Sequence, residues 1–353
     1  MMLSQADVAR RAGVSIMTVS RVINRAENVR PETREKVLEA IRELAYYPNA
    51  AARALTRNRS YVLEILIPHA DYFYSSEYFS ELIFGIEKVV HDSDYNLIFN
   101  TYDPERGAEY AVLYKQRKVD GLLIVAPASH DRTILKLHEE SIPFVLVNGR
   151  VDDPEVSFVD VDNVAGAFQA VQYLYDLGHR RIAIITGNLL VVNARHRLQG
   201  YLDCLSEHGV PDAEQWIFHG NWSEQSGYAG FSHLVNLKDP PSAIFCSNDL
   251  MAIGAMRAAA DMGVGIPETA SIVGCDDIRL ASFVNPRLTT IHQPIDRVGK
   301  TAVELLLRLL NGQEDRPRQM ILQPELIVRK SCEAPLSTHL KIYTKPSLDN
   351  RFE

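Results

Sequence analysis

Met17, Ser20, Arg21 and Asn24 are spaced so that they share one side of a short helix. A guanidinium, a carboxamide, a hydroxyl and a flexible apolar chain are groups that read base edges in a DNA major groove, by hydrogen bonds and by contact with the thymine methyl. At about 100° per residue, a helix from Ile16 to Asn24 turns Val19, Val22 and Ile23 to the other side, where they would bury against a preceding helix. Ile16 and Thr18 stand beside the outward face as further readers or backbone clamps, and Arg21 is the best candidate for guanine.

Such a face needs a scaffold, and the flanking residues spell one. Ser4 and Asp7 give a start signal for a first helix, Gly13 ends it, and Ser15 caps the second. Pro31 suits the first turn of a third helix, in which Val37, Leu38, Ile41 and Leu44 recur at helical spacing to close a small core before Pro48 stops it. Charge supports the reading. Residues 1–60 hold 11 Lys and Arg against 6 Asp and Glu, whereas the rest of the chain holds 26 against 39. A basic head on an acidic body suits phosphate contact at one end.

Behind the head, the remaining length suffices for two linked lobes. Short apolar runs alternate with helical patterns: VLEILIP, SELIFGIEKVVHD, NLIFNTY, VDGLLIVAP, ILKLHEES and PFVLVNG. The alternation restarts after VSFVDVDN and runs through RRIAIITG, WIFHG, SAIFCSND, LMAIGAMRAAADMG and SIVGCDD. Strand and helix in turn predict parallel, doubly wound sheets, so the expected fold class is an all-α helix-turn-helix head plus an α/β body of two lobes. The later segments TIHQPIDRVGKTAVELLLRLLNGQ and MILQPELIVRK are expected to return to the first lobe and then add a last strand to the second.

Other classes fare worse. No apolar run reaches the roughly 18 residues that span a bilayer, and the amino terminus runs into a polar helix without a signal peptide, so no membrane association and a cytoplasmic location are expected. Cys204, Cys246, Cys275 and Cys332 have no paired ligand spacing, which predicts reduced packing thiols and no metal. Gly299-Lys300-Thr301 has the end of a phosphate-binding loop, but that loop needs a glycine where Pro294 stands. With no Gly-rich cradle, nucleophile elbow or ligand cluster, the chain reads as a non-enzyme without cofactor.

The stretches AxVARRAGVSxxTVSRVIN, TREKVLEAIRELxYxPN and AARALT, in that order and spacing, resemble the lactose repressor (LacI/GalR) family of bacterial transcription regulators. LGHRRIAIITG, RHRLQGY, AIFCSNDLMAIGAMRAA, SIVGCDD and PRLTTIHQP extend the resemblance through the body to about residue 332. It implies a helix-turn-helix domain at 1–48, a hinge helix and linker at 49–60, a two-lobed effector-binding and dimerisation domain of periplasmic-binding-protein type at 61–332, and a tail at 333–353. Asn49 would cap the hinge helix, with Arg53 inside it. Leu55 would wedge into the minor groove at the centre of a pseudo-palindromic operator held by a homodimer.

Within the body the resemblance implies that a small molecule binds between the lobes. Arg197 would fork onto its polar groups, Asp276 would be the acidic counterpart, and Trp222 would stack on a ring. Asn148, Asn248 and Gln293 would line the cleft, while Asp249 and Asp277, just after strands, read as caps. This set suits a sugar first and a nucleobase or nucleoside second, acting as inducer or corepressor, with a phosphoprotein partner third. The segment PHADYFYSSEYFSE departs from the family by its greater length and a missing proline. Tyr78 and Phe79 resemble the family's aromatic pair there, and Tyr72, Phe73 and Tyr74 would reshape the cleft mouth. The tail lacks a leucine heptad, which favours a dimer over a tetramer. A sugar-binding transport protein would lack the basic head, and a fused sugar kinase would need the phosphate cradle.

Overall fold

The computed structural model describes residues 3–23, 28–46, 59–68, 77–103, 107–127, 131–210, 213–314 and 317–335. The chain separates into two compact units, Met1–Tyr61 and Val62–Glu353.

In the first unit, α1 (Gln5–Ala12), α2 (Ile16–Ile23) and α3 (Pro31–Glu43) surround a small core. The Asp7 carboxylate accepts from the Ser4 N–H at 2.9 Å and from its hydroxyl at 2.7 Å, tying off the start of α1. Gly13 closes that helix at φ +65°, a conformation costly for residues with a Cβ. Val8, Val19, Val22, Val37 and Ala40 are buried. Leu38 corrects the expectation: it is 42% exposed, because it lies about 100° round the helix from Val37, and Ala40 takes the inward position.

The second unit begins with a parallel sheet. Its strands β1 (Val62–Pro68), β2 (Asn96–Tyr102), β3 (Gly121–Val125), β4 (Phe144–Val147) and β5 (Phe158–Val161) alternate with α4 (Glu77–His91), α5 (Gly107–Lys115) and α6 (Arg132–Glu139). The chain then crosses to a second sheet through α7 (Asn163–Asp176). There β6 (Ile182–Thr186), α8 (Val192–Glu207), β7 (Ile217–His219), α9 (Glu224–Leu234), β8 (Ala243–Cys246), α10 (Asp249–Asp261), β9 (Ser271–Asp276) and β10 (Thr289–His292) follow. After β10, α11 (Ile295–Leu310) packs back on α4, β11 (Gln319–Leu322) joins the first sheet, and β12 (Glu325–Ile327) joins the second.

The orders are β11-β5-β4-β3-β1-β2 and β12-β10-β9-β8-β6-β7. Every pairing is parallel except β10 with β12, which runs antiparallel, so the return of the chain to both lobes holds as expected. Strands such as β3 and β6 are buried along their whole length, because helices cover both faces and leave no solvent side to alternate toward. Apolar clusters fill both faces of each sheet. Gly299 is a packing residue of α11, since a Cβ there would lie 2.4 Å from the Leu82 carbonyl of α4. No helix of the described residues is long and apolar enough to cross a membrane.

Candidate functional site

In the head, the Ser15 hydroxyl accepts from the Thr18 N–H at 3.1 Å and lies 2.9 Å from the Thr18 hydroxyl, fixing where α2 begins. Thr18 is thereby engaged in the cap. Ile16, Met17 and Arg21 are exposed, Ser20 is half-buried, and Val19 and Val22 are buried on the far side. Asn24, Asn49, Arg53 and Leu55 lie outside the described residues, as do Tyr72, Phe73 and Tyr74.

In the body, the carboxyl ends of the strands face a cleft between the two lobes that is partly open to solvent. The first lobe contributes Pro68, Tyr78, Ala126 and Asn148 to its wall. The second contributes Val191, Asn193, Arg197, Trp222, Asn248, Leu250, Asp276 and Ile278. Five of the six expected residues therefore meet in one cavity. The sixth, Gln293, stands behind it: its Nε2 donates to Asp276 Oδ1 at 2.6 Å and positions that carboxylate.

Arg197 projects from α8 and is 4% exposed. Its Nε donates to Asn163 Oδ1 at 2.8 Å, one Nη donates to the Ser247 carbonyl, and Nη1 lies 3.6 Å from Asp276 Oδ1. The guanidinium is 5.4 Å from the centre of the Trp222 ring, within cation–π reach. Burial pushes the Asp276 carboxyl pKa up, and Arg197 opposes that shift. Trp222 takes φ +74° and is 9% exposed. Its indole has room only because Gly187 has no side chain, since a Cβ there would fall 2.2 Å from Trp222 Cζ2.

Asn248 caps α10 through Oδ1, which accepts from the Met251 N–H at 2.9 Å, and its Nδ2 donates to the Trp222 carbonyl at 3.0 Å. Its amide thus serves the scaffold as well as the wall. Asn148 is different. It holds φ +50° after β4, and neither polar atom of its buried amide has a hydrogen-bond partner within the protein. An amide so placed on a cavity wall is suited to a ligand that both donates and accepts.

Sequence reasoning missed Asn193 and the apolar residues Val191, Leu250 and Ile278. Asn193 precedes Arg197 by four residues and so shares its helix face, a signal the spacing carried. Its Nδ2 donates to the Asn148 carbonyl at 3.1 Å and to Asp160 Oδ1 at 3.3 Å, while its Oδ1 has no partner. Asp160 is fully buried, lies 3.6 Å from Arg150 through Oδ2, and has its pKa raised by burial to about 6. Arg150 in turn donates to His196 Nδ1 at 3.0 Å, and burial, with Arg150 adding to it, lowers the imidazole pKa to about 4. Tyr78 reaches the wall from α4. Asp249 and Asp277 are scaffold residues: Asp249 accepts from Thr290 Oγ1 and the Ile278 N–H, and Asp277 pairs with Arg329 at 2.6 Å.

Residues 5–49 match the family described as Bacterial regulatory proteins, lacI family, and residues 171–332 match the Periplasmic binding protein-like domain. The chain is 36% identical to the HTH-type transcriptional repressor PurR of Erwinia tasmaniensis, over 92% of its own length and 95% of that protein. It is 33% identical to the PurR of Mannheimia succiniciproducens, over 93% and 98%. Among solved structures, the lac repressor dimer bound to operator and the anti-inducer ONPF aligns with TM-score 0.82 and 30% identity, covering 95% of this chain and all of that one. The complex of the regulator CelR with cellobiose aligns with TM-score 0.73 and 31% identity, over 93% and 99%. The chain belongs to the lacI family of bacterial regulatory proteins: it is a DNA-binding transcriptional repressor under the control of a small-molecule effector, and not an enzyme.

Proposed function

We propose that the effector is a sugar bound in the interlobe cleft, and that it sets the operator affinity of a homodimer acting on chromosomal DNA in the cytoplasm. One observation carries the sugar reading: unpartnered amide atoms of Asn148 and Asn193 share a wall with the Arg197–Asp276 pair and the flat indole of Trp222. Hydroxyls that both donate and accept suit amides, and the C–H face of a pyranose or furanose suits an indole. The solved relative CelR holds cellobiose. A ligand that touches both lobes shifts their closure only by its differential affinity for the two arrangements, and the change reaches the operator through the dimer.

A purine base or nucleoside is the second reading. The name PurR of the full-length relatives suggests it, and Tyr78 with Trp222 offers aromatic walls for a flat ring. Thermal unfolding of the full chain with cellobiose, ribose, glucose, hypoxanthine, guanine and adenosine separates the two, since saturating ligand raises the melting temperature. A rise with a purine and none with any sugar refutes the sugar reading. Gel shifts with and without the stabilising compound then give the sign of control.

The dimer reading rests on large apolar side chains left in solvent by the single chain. Phe84 on α4, Phe99 on the edge strand β2 and Phe283 after β9 are 55%, 48% and 72% exposed. A second subunit seated over them would remove that apolar surface from water. Sedimentation equilibrium of the full chain is expected to give twice the chain mass.

A further inference from the structure

The first turn of α2 presents two apolar side chains to solvent. Ile16 and Met17 are its first two residues, and they are 53% and 64% exposed. Neither side chain holds an N–H, an O–H or a carbonyl. The nearest hydroxyls, those of Ser15 and Thr18, are turned onto each other in the cap at 2.9 Å. Arg21, one turn further along, brings a cation to the same side of the helix.

In a helix-turn-helix the amino-terminal residues of the second helix come nearest the base edges. The major-groove edges of guanine, adenine and cytosine offer acceptors and donors there, and thymine alone adds a methyl group. An apolar side chain pressed on a polar edge strips its water without returning a hydrogen bond, whereas on a methyl it removes apolar surface from water on both sides. The pair therefore selects by attraction to one base and by penalty against the others.

We propose that Ile16 and Met17 read thymine methyl groups, so that each operator half-site carries thymines under the first turn of α2, beside the base met by Arg21. The proposal rests on the DNA-binding reading of this helix and adds the chemistry of the bases it prefers. Neither side chain has a donor for a phosphate oxygen, so what these side chains can recognise is apolar surface. Their exposure also makes them replaceable without loss of the head's core, which is built from Val8, Val19, Val22 and Val37.

The test begins with selection of binding sites from random duplexes by the full chain, in buffer and in a small-molecule cell extract that supplies any required effector. Each thymine of the selected site is then replaced singly by deoxyuridine, which keeps all hydrogen bonds and deletes only the methyl. Affinity is expected to fall about three- to fivefold at one or two thymines per half-site, the scale of one buried methyl. Met17→Ala should abolish that loss at one of them, and Met17→Gln should move the preference there toward adenine. Circular dichroism melts of both variants verify that the head stays folded. Enrichment of a specific site that tolerates every thymine-to-deoxyuridine exchange overturns the proposal, as does an Ile16→Ala, Met17→Ala double variant that still distinguishes the two bases. Failure to enrich any site under either condition would instead count against the DNA-binding reading.

Discussion

Asn193, from the second lobe, donates its side-chain amide to the main-chain carbonyl of Asn148, in the first, at 3.1 Å. The same amide nitrogen lies 3.3 Å from Asp160 of the first lobe, and four residues on, Arg197 meets Asp276 in the second. One helix face thus touches the ligand cavity and the partner lobe together. A molecule seated against Asn148 and Arg197 acts on the contact that joins the lobes, which is where a closure equilibrium can be biased.

Asn193→Ala removes that contact while leaving α8 intact. Effector affinity is expected to fall about fivefold to fiftyfold, the range of one to two buried hydrogen bonds, with a smaller change in the melting temperature of the ligand-free chain. Isothermal titration calorimetry with the stabilising compound measures the first and calorimetric unfolding the second. Unchanged affinity would remove the coupling role.

Gly187 and Trp222 form a tighter relationship. Gly187→Ala places a methyl inside the space of the indole, so the ring must leave its position. A stability loss of about 1–3 kcal/mol is expected, together with loss of effector binding. In a Trp216→Phe background the remaining indole reports directly: its emission should respond to effector in the parent and stay flat in the Gly187→Ala variant.

Asp160 predicts a pH dependence. Its folded pKa of about 6 stands above the ordinary 3.8, so between those values the folded chain keeps a proton that the unfolded chain has released. Its contribution to stability is complete below about pH 4 and is lost as the pH rises through 6. The unfolding free energy of Asp160→Asn, relative to the parent, should therefore climb by up to roughly 3 kcal/mol between pH 4 and 7. His196 acts with the opposite sign, since its lowered pKa removes stability as the pH falls from about 6.5 toward 4. Comparing variant with parent at each pH cancels it. Urea titrations across that range give the curve, and a flat difference would contradict the assignment.

Arg21→Ala is expected to weaken binding to the selected operator by about ten- to a hundredfold and to random duplex far less. Gel shifts on both duplexes at one salt concentration read the ratio. Equal losses would make Arg21 a phosphate contact.

Much of this was legible in one dimension. Ser4 and Ser15 mark their helix ends by hydroxyl chemistry and Gly13 by its lack of a Cβ, and the alternation of apolar runs placed both lobes, including the return through α11 and β11. Arg197, Asp276 and Trp222 were legible through their motifs. Gln293 was legible by type, but not that its Nε2 donates to Asp276 while its buried Oε1 has no partner within the protein. Leu38 has the right periodicity for a rough pattern and the wrong angle for the packed helix.

Helix and strand periods, caps and charge are local properties, so the residues themselves decided that a basic three-helix head precedes an α/β body of two lobes. Which amide atoms stay unpaired was decided elsewhere. Asn148 and Asn193 are 45 positions apart, and only the crossing of the chain between two sheets brings a carbonyl of one to the nitrogen of the other. A hydrogen bond is set by distance in space, and burial decides whether water can replace it. The tertiary fold therefore gave the side-chain nitrogens of Asn248 and Gln293 acceptors within the protein and left both polar atoms of the Asn148 amide without a partner there.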